Sequence, residues 1–384
     1  LPTRIAILGS TGSIGRSALE VVRSYPDLFE VVALAARANA DLLAQQIEEF
    51  RPQHVAVVDE EAAAVIAERC PGPTLYRGQL GLEELAAVPV DTTLCAVVGA
   101  VGLKPILNAI DAGNRIALAN KEPLVMAGEI IMDRARTHGV EVLPVDSEHN
   151  AIFQCLQGHD TSDVLTIHLT ASGGPFYGRP RDSLAEVLPE EAANHPTWDM
   201  GTKISVDSST LMNKGLEVVE AMWLFDLPLE KIQVIVHPQS IVHSLVEFTD
   251  GSILAHLGIT DMRFPIQFAL TWPRRVQSPM GRLDLTQMRA LTFDAPNFEE
   301  FPCLHYALEA AREGGTAPTV LNAANETAVA AFCQHRLGFL QIADVIRETL
   351  SACGNADASQ LDDVLAMDAE ARARASETVQ AVGV

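Results

Sequence analysis

The run Val145-Asp146-Ser147-Glu148-His149-Asn150 places two carboxylates two residues apart, directly after the apolar stretch Val140 to Val145. That stretch reads as a short buried strand, and an extended chain aims residues i and i+2 to one side. In open α/β sheets, ligands bind just beyond the carboxyl ends of the strands, which is where this pair falls. Two acids pointing one way repel unless a cation lies between them, and a hard divalent ion is the simplest candidate. The plainer reading is an acidic loop in an acidic protein.

A third acid comes from the segment after Val206, whose pattern predicts a helix from about Ser208 to Phe225. Wound at ~100° per residue, Asn213, Lys214, Glu217 and Glu220 fall within an arc of roughly 120°. Leu211, Met212, Leu216, Val218, Val219, Met222 and Trp223 fill the opposite side, so the helix is expected to be substantially buried. Asp207-Ser208-Ser209-Thr210 would supply cap residues and free N–H groups at its start, an anion site with Lys214 about a turn further on. One reading is an amphipathic helix with a Lys/Glu pair. The other couples Glu217 to Asp146 and Glu148 as three carboxylates for one Mg²⁺ or Mn²⁺, beside a cradle for a phosphorylated substrate.

Gly9-Ser10-Thr11-Gly12-Ser13-Ile14-Gly15 follows a predicted strand and opens a predicted helix. Such a turn presents backbone N–H groups and a helix dipole to a pyrophosphate. The spacing is GxxGxxG rather than GxGxxG, and a glycine-rich turn without a ligand is the alternative. The second strand ends Ala35-Ala36-Arg37-Ala38-Asn39, with a base where NAD sites usually carry an acid. A guanidinium there pairs well with a 2′-phosphate, which favours NADP(H) over NAD(H). An exposed Arg without a ligand is the other reading.

These residues need elements to position them. Predicted strands at Arg4 to Leu8, Phe29 to Ala35, His54 to Val58, Leu94 to Val98, Arg115 to Leu118 and Val140 to Val145 alternate with helical patterns such as Ser17 to Ser24, Ala40 to Phe50 and Glu60 to Arg69. That rhythm predicts a doubly wound, mostly parallel, Rossmann-like sheet over 1–145. Residues 146–271 read as an α+β catalytic domain. It has a strand at Leu165 to Leu169, a lid loop over about 172–201, and antiparallel strands Ile241 to Phe248 and Ser252 to Leu257 about Asp250-Gly251. Residues 272–301 suit a linker, and 302–384 a C-terminal helical bundle.

The totals bound the function. At 384 residues the chain has room for two or three cores, and 48% apolar with 20% charged residues is an ordinary globular balance. The formal net charge of -23 argues against nucleic acid and anionic membrane surfaces as partners. Six scattered cysteines without a CxxC pair suggest neither a zinc ribbon nor a disulfide framework. No apolar run has the length of a membrane span and the first residues enter a strand directly, so a cytoplasmic enzyme is expected.

GSTGSIG (9–15), LANKE (118–122), PVDSEHNAIFQ (144–154), SGGPF (172–176), KISVDSSTLMNKGLE (203–217), HPQSIVHS (237–244) and DMRFPIQ (261–267) stand in one order along the chain. In these motifs the chain resembles the 1-deoxy-D-xylulose 5-phosphate reductoisomerase family over essentially its whole length. The resemblance implies NADPH- and divalent-metal-dependent conversion of that ketose phosphate to 2-C-methyl-D-erythritol 4-phosphate, for isoprenoid precursors, in a homodimer. Position by position, it implies metal ligation by Asp146, Glu148 and Glu217, and phosphate binding by Ser172, Ser208, Asn213 and Lys214. Lys121 and Ser147 would meet the hydroxyl and carbonyl end of the substrate, and His195 and Trp198 would belong to the lid. Thr11, Gly12, Ser13, Ile14, Arg37, Ala38, Asn39, Asn120, Glu122 and Gly201 would contact NADPH. One departure is that the base at Arg37 stands one place earlier than in the family's pattern.

The implied reaction rearranges the carbon skeleton by bond cleavage and rejoining, then reduces the resulting aldehyde by hydride transfer. Lys121 is the expected proton-handling or electrostatic group, while His149, His237, His243 and His256 read as core or supporting residues. Two alternatives remain from the residues alone. One is a metal-dependent sugar-phosphate aldolase or isomerase with a structural nucleotide fold, and the other is a non-catalytic NADP-binding regulator.

Overall fold

The structure is a computed structural model that describes every residue except Asp199, Arg289 and Val384. The chain forms two compact units. The first comprises Leu1–Pro123, Ile131–Asn150 and Asp261–Gly281; the second comprises Leu124–Ile130, Ala151–Thr260 and the chain from Arg282 onward.

The first unit is built on seven parallel strands: β1 (Thr3–Leu8), β2 (Phe29–Ala36), β3 (His54–Val57), β4 (Thr74–Arg77), β5 (Thr92–Cys95), β6 (Arg115–Leu118) and β7 (Val142–Pro144). Their order is β4-β3-β2-β1-β5-β6-β7. The central strands are apolar on both faces, as parallel strands covered by helices must be; Ile5, Ile7, Leu34, Val55, Leu94 and Ile116 are fully buried. Strand order reverses between β1 and β5, and Gly9 sits in that crevice at φ 93°. A Cβ on Gly9 would lie 2.4 Å from the Ala96 carbonyl oxygen, so the turn after β1 closes against the turn after β5 only with glycine.

β4 has no counterpart among the predicted strands. It is a four-residue edge strand with no fully buried residue, and its Thr-Leu-Tyr-Arg sequence carries little apolar signal. The helix Arg263–Thr271, grouped by pattern with the central region, packs in the first unit. There Tyr25 Oη donates to Gln267 Oε1 at 2.9 Å, and Arg263 pairs with Glu20 at 3.1 Å.

The second unit holds a mixed sheet of order β11-β10-β8-β9, with β8 (Val164–Ala171), β9 (Ile232–Val236), β10 (Val242–Phe248) and β11 (Ile253–Leu257). β10 and β11 form the expected antiparallel hairpin, with Gly251 at φ 84° in its turn. The C-terminal region is helical, as expected, through Pro302–Glu313, Ala317–Cys333, Gln341–Ala352 and Leu361–Val382. These helices have a small apolar cluster of their own, Val320, Ala323 and Ala371 with Leu350 and Met367 against it, and otherwise share the core of the sheet. Leu304, Leu321, Phe332 and Ile346 belong to the same apolar cluster as Ile167, Val218, Phe225 and Val246. Among the described residues, no helix is long and apolar enough to cross a membrane.

Three local expectations are corrected. Ser147–Cys155 is helical, so Glu148 lies in a first helical turn and the i, i+2 argument for an extended chain does not apply. The single helix expected from Ser208 to Phe225 is two, Thr202–Ser209 and Met212–Phe225, broken at Leu211 with φ 59°. Asp207, Ser208 and Ser209 therefore end a helix instead of capping one. The break is held by Thr210 Oγ1, which donates to Asp207 O at 3.1 Å and accepts from Met212 N at 3.3 Å. Finally, the expected lid segment contains a turn of 3₁₀ helix, Arg181–Leu184, and a short helix, Pro189–Ala192, with Leu184, Val187 and Ala192 buried.

Replacing Gly9 with alanine should cost about 2 kcal/mol or more, because positive φ and a clash with fixed backbone act together. Denaturant unfolding followed by circular dichroism measures this; an unchanged midpoint would mean that the turn relaxes freely.

Candidate active site

Each unit carries one half of the predicted chemistry. In the first, the glycine-rich turn lies at the carboxyl end of β1. Gly9 N and Ser10 N both donate to Ala35 O, at 2.9 and 2.8 Å, and Gly12 N donates to Gly9 O at 3.1 Å. The helix Ser13–Ser24 then starts at Gly12 without a side-chain cap. Its first N–H groups and the partly exposed Thr11, Ser13 and Ile14 form a positive helix end suited to a phosphate. A Cβ on Gly15 would approach Gly9 O to 2.3 Å, which explains the third glycine as a close helix–turn contact. Arg37, Ala38 and Asn39 are exposed beyond β2. Asn39 has a structural duty that spacing did not reveal: its Oδ1 accepts from Leu42 N at 3.1 Å and caps the helix Ala40–Phe50. Asn120 and Glu122 are buried and joined, Nδ2 to Oε2 at 2.6 Å, and Asn120 Nδ2 also reaches Gly99 O at 3.3 Å. Gly201 lies in the second unit, as the exposed residue that starts Thr202–Ser209.

The loop after β7 brings Lys121 and Asp146 together, Nζ to Oδ2 at 2.8 Å, with side chains only 9% and 14% exposed. Asp146 Oδ1 accepts from Glu148 N at 3.3 Å and lies 3.4 Å from Nδ1 of the fully buried His149. Burial pushes the Asp146 carboxyl up, but the Lys121 ammonium and the hydrogen bonds from His149 and Glu148 outweigh it and hold it well below the usual carboxylate range. Ser147 Oγ donates to Glu148 Oε2 at 2.6 Å. The result is an acidic corner in which Asp146 stays ionised, with an ammonium at its edge.

In the second unit, the Met212–Phe225 helix is buried nearly all round, including Lys214, Glu217 and Glu220. Glu217, 1% exposed, accepts from Asn213 Nδ2 at 2.5 Å through one oxygen and pairs with Lys214 through the other. Gly215 lets this helix approach Pro302–Glu313: a Cβ there would meet the Ala307 Cβ at 2.3 Å. Spacing did not find what holds the preceding helix. Buried Asp207 pairs with Lys203 at 2.7 Å and accepts from Asn325 Nδ2 at 2.9 Å. The Ser172-Gly173-Gly174 turn after β8 folds onto the end of that helix, since Gly174, at φ 72°, has no room for a Cβ within 2.6 Å of Ser208 O. Glycine there brings the backbones of residues 174 and 208 together.

Hydrogen bonds fix the state of His195. Its Nδ1 accepts from Trp198 N at 3.0 Å and from Thr197 N at 3.2 Å, so the proton of the neutral ring belongs to Nε2. Nε2 then donates to Ser172 Oγ at 2.9 Å, and Gly174 N donates to the same oxygen at 3.1 Å. With both lone pairs used, Ser172 keeps its hydroxyl proton as an outward donor, which suits a phosphate oxygen. Burial, and then the nearby Lys214 ammonium, lower His195 to about 4. Trp198 lies beside His243 with ring centroids 6.0 Å apart. Burial, with His256 adding to it, lowers His243 to about 4 as well.

A glycine-rich turn at the switch point of a doubly wound sheet, in a chain that also carries a buried Asn-Lys-Glu helix, marks a dinucleotide-type oxidoreductase. Family models described as 1-deoxy-D-xylulose 5-phosphate reductoisomerase match residues 5–128, and models of its C-terminal domains match 142–225 and 257–374. The enzyme of that name from Chlorobaculum tepidum is 50% identical over 382 residues, 98% of this chain and 99% of its own. The one from Ralstonia pickettii is 52% identical, covering 97% of this chain and 96% of its own. The Zymomonas mobilis enzyme, solved in complex with NADPH, is similar at a TM-score of 0.92 and 44% identity over 100% of both chains. A reductoisomerase solved with NADPH, fosmidomycin and magnesium gives a TM-score of 0.94 at 40% identity, covering 98% of each. The chain belongs to the 1-deoxy-D-xylulose 5-phosphate reductoisomerase family.

The His195 contacts set a pH dependence. The folded value of about 4 lies below the ~6.5 of an open chain, so docking of the segment around His195 onto Ser172 is fully supported above that pH. It weakens by about tenfold per unit as pH falls from there toward the folded value, because the undocked segment binds the extra proton. Tryptophan fluorescence, with a Trp198→Phe variant subtracted, should follow this change, and His195→Gln should abolish it.

Proposed function

We propose that the protein converts 1-deoxy-D-xylulose 5-phosphate to 2-C-methyl-D-erythritol 4-phosphate with NADPH and a divalent cation, by skeletal rearrangement followed by hydride transfer. Family membership across the whole chain supports the reaction. The observation that carries the site is Glu217, a carboxylate held out of water between Asn213 and Lys214. We assign the cation to Asp146, Glu148 and Glu217. This is an all-oxygen donor set with one member kept strongly ionised, and it fits Mg²⁺ or Mn²⁺ better than a soft metal. When bound, the cation supplies Lewis-acid polarisation of a carbonyl, and NADPH supplies the hydride.

The chain's own residues bind, orient and enclose. Ser172, through its outward hydroxyl, with Ser208, Asn213 and Lys214, takes the substrate phosphate and so provides remote binding energy that positions the reacting end. Lys121 and Ser147 meet the hydroxyl and carbonyl end, Lys121 as the ammonium that balances developing negative charge. His195 and Trp198 close over the sugar and exclude water from a reactive aldehyde. Thr11 to Ile14 hold the pyrophosphate of NADPH, and Arg37, Ala38 and Asn39 its 2′-phosphate. Asn120, Glu122 and Gly201 complete the dinucleotide contacts. We further assign a cytoplasmic homodimer, in which edge strand β11, with Ile253, Leu254 and Leu257 exposed, meets a second copy.

Oxidation of NADPH in the presence of the deoxyketose phosphate tests the proposal. Turnover should appear with Mg²⁺ and vanish with a chelator, and an aldolase or isomerase would consume no NADPH. Asp146→Asn and Glu217→Gln should each lower kcat by roughly 10²-fold or more, while NADPH still binds. Retained activity at saturating substrate would remove these residues from the cation site. Arg37→Glu should weaken NADPH binding far more than NADH binding; equal losses would place the 2′-phosphate elsewhere.

A further inference from the structure

The helix Ala40–Phe50 turns Leu43, Ala44 and Ile47 into the first unit's core, and with them Gln46, only 4% exposed. An amide among aliphatic side chains has lost its water and must find partners inside the protein. Gln46 finds both on one residue. Ser10, fully buried, donates from Oγ to Gln46 Oε1 at 2.7 Å, and Gln46 Nε2 donates to Ser10 O at 2.9 Å. Ser10 N is already committed to Ala35 O at 2.8 Å. Every polar group of Ser10 is thus spent on the fold, which leaves Thr11 to Ile14 to face a ligand.

The pair links two stretches with different tasks. Ser10 is the second residue of the glycine-rich turn, assigned above to the pyrophosphate. Gln46 lies two turns into a helix whose N-cap is Asn39, next but one to Arg37, in the loop assigned to the 2′-phosphate. A helix is stiff over two turns, so anchoring Gln46 on Ser10 sets where the Arg37–Asn39 loop stands relative to the turn. NADPH engages both stretches, whereas NADH has no phosphate for the second. We propose that Gln46 is a positioning residue that fixes the spacing between the pyrophosphate turn and the 2′-phosphate loop, and so contributes to preference for NADPH over NADH. This rests on the dinucleotide reading given above; Gln46 itself, buried behind Ser10, is a support for that site and not part of it.

The test measures binding of NADPH and NADH to the full chain by nicotinamide fluorescence, with steady-state kinetics alongside, for Gln46→Leu, Gln46→Glu and Ser10→Ala. Gln46→Leu strands the Ser10 hydroxyl and carbonyl in an apolar setting, so the turn must shift to satisfy them. The Kd for NADPH should rise about tenfold and that for NADH no more than about threefold, with kcat at saturating NADPH within about twofold. Gln46→Glu keeps an acceptor for Ser10 Oγ and should fall between. An unchanged Kd for NADPH, or equal proportional losses for both nucleotides, would overturn the proposal, the second because a purely structural role predicts it. Where Gln46→Leu fails to fold, Ser10→Ala keeps the bond to Ser10 O and carries the same comparison. Wild-type protein that binds neither nucleotide would overturn the dinucleotide reading and this proposal with it. That outcome is distinct from normal wild-type binding with indifferent variants.

Discussion

A carboxylate taken out of water remains an anion only beside a cation or several hydrogen-bond donors; otherwise it takes up a proton. Three buried or nearly buried carboxylates of the chain have such partners beside them. Asp146 has the Lys121 ammonium, His149 and the Glu148 amide, and Glu217 has Asn213 and Lys214. Asp207, which supports the helix and has no assigned role in the chemistry, has Lys203 and Asn325. The partners of Glu217 lie within one helical turn, whereas Lys121 reaches Asp146 across 25 positions and Asn325 reaches Asp207 across 118. Lys121 and Lys214, the ammoniums beside Asp146 and Glu217, are also groups assigned to bind substrate.

The same economy governs the glycines. Gly9, Gly15 and Gly174 each occupy a place where the next atom is a fixed backbone oxygen, closer than any Cβ tolerates. They allow close approach of a turn to a turn, a helix to a turn and a loop to a helix end. None of these contacts is strong by itself. Together they determine how near the candidate binding groups stand to the elements that carry them.

Much of this was legible in the chain because it is local. Strand and helix alternation over the first 145 residues follows from apolar periodicity, and the Asp250-Gly251 hairpin from turn chemistry. What escaped was either weakly patterned or distant. β4 is short and lacks a buried face, and the break at Leu211 depends on a threonine hydroxyl bridging two helices, which no periodicity reports. A strand end and a helix start share the same residue types, so the residues around Glu148 do not by themselves show that it stands in a helix. Gln46 joins Ser10 across 36 positions and Asn325 joins Asp207 across 118, separations at which a single sequence carries no pairing signal.

The contact between Gly215 and Ala307 has an evolutionary consequence. Lys214 and Glu217 flank the point where two helix axes pass at a distance set by a hydrogen and a methyl group. A larger residue at either position would displace the ammonium and the carboxylate together, without altering either of them. Positions 215 and 307, more than ninety residues apart in the chain, are therefore bound to drift in concert or not at all. Lineages that diverge freely elsewhere in the C-terminal helices should keep small side chains at this crossing.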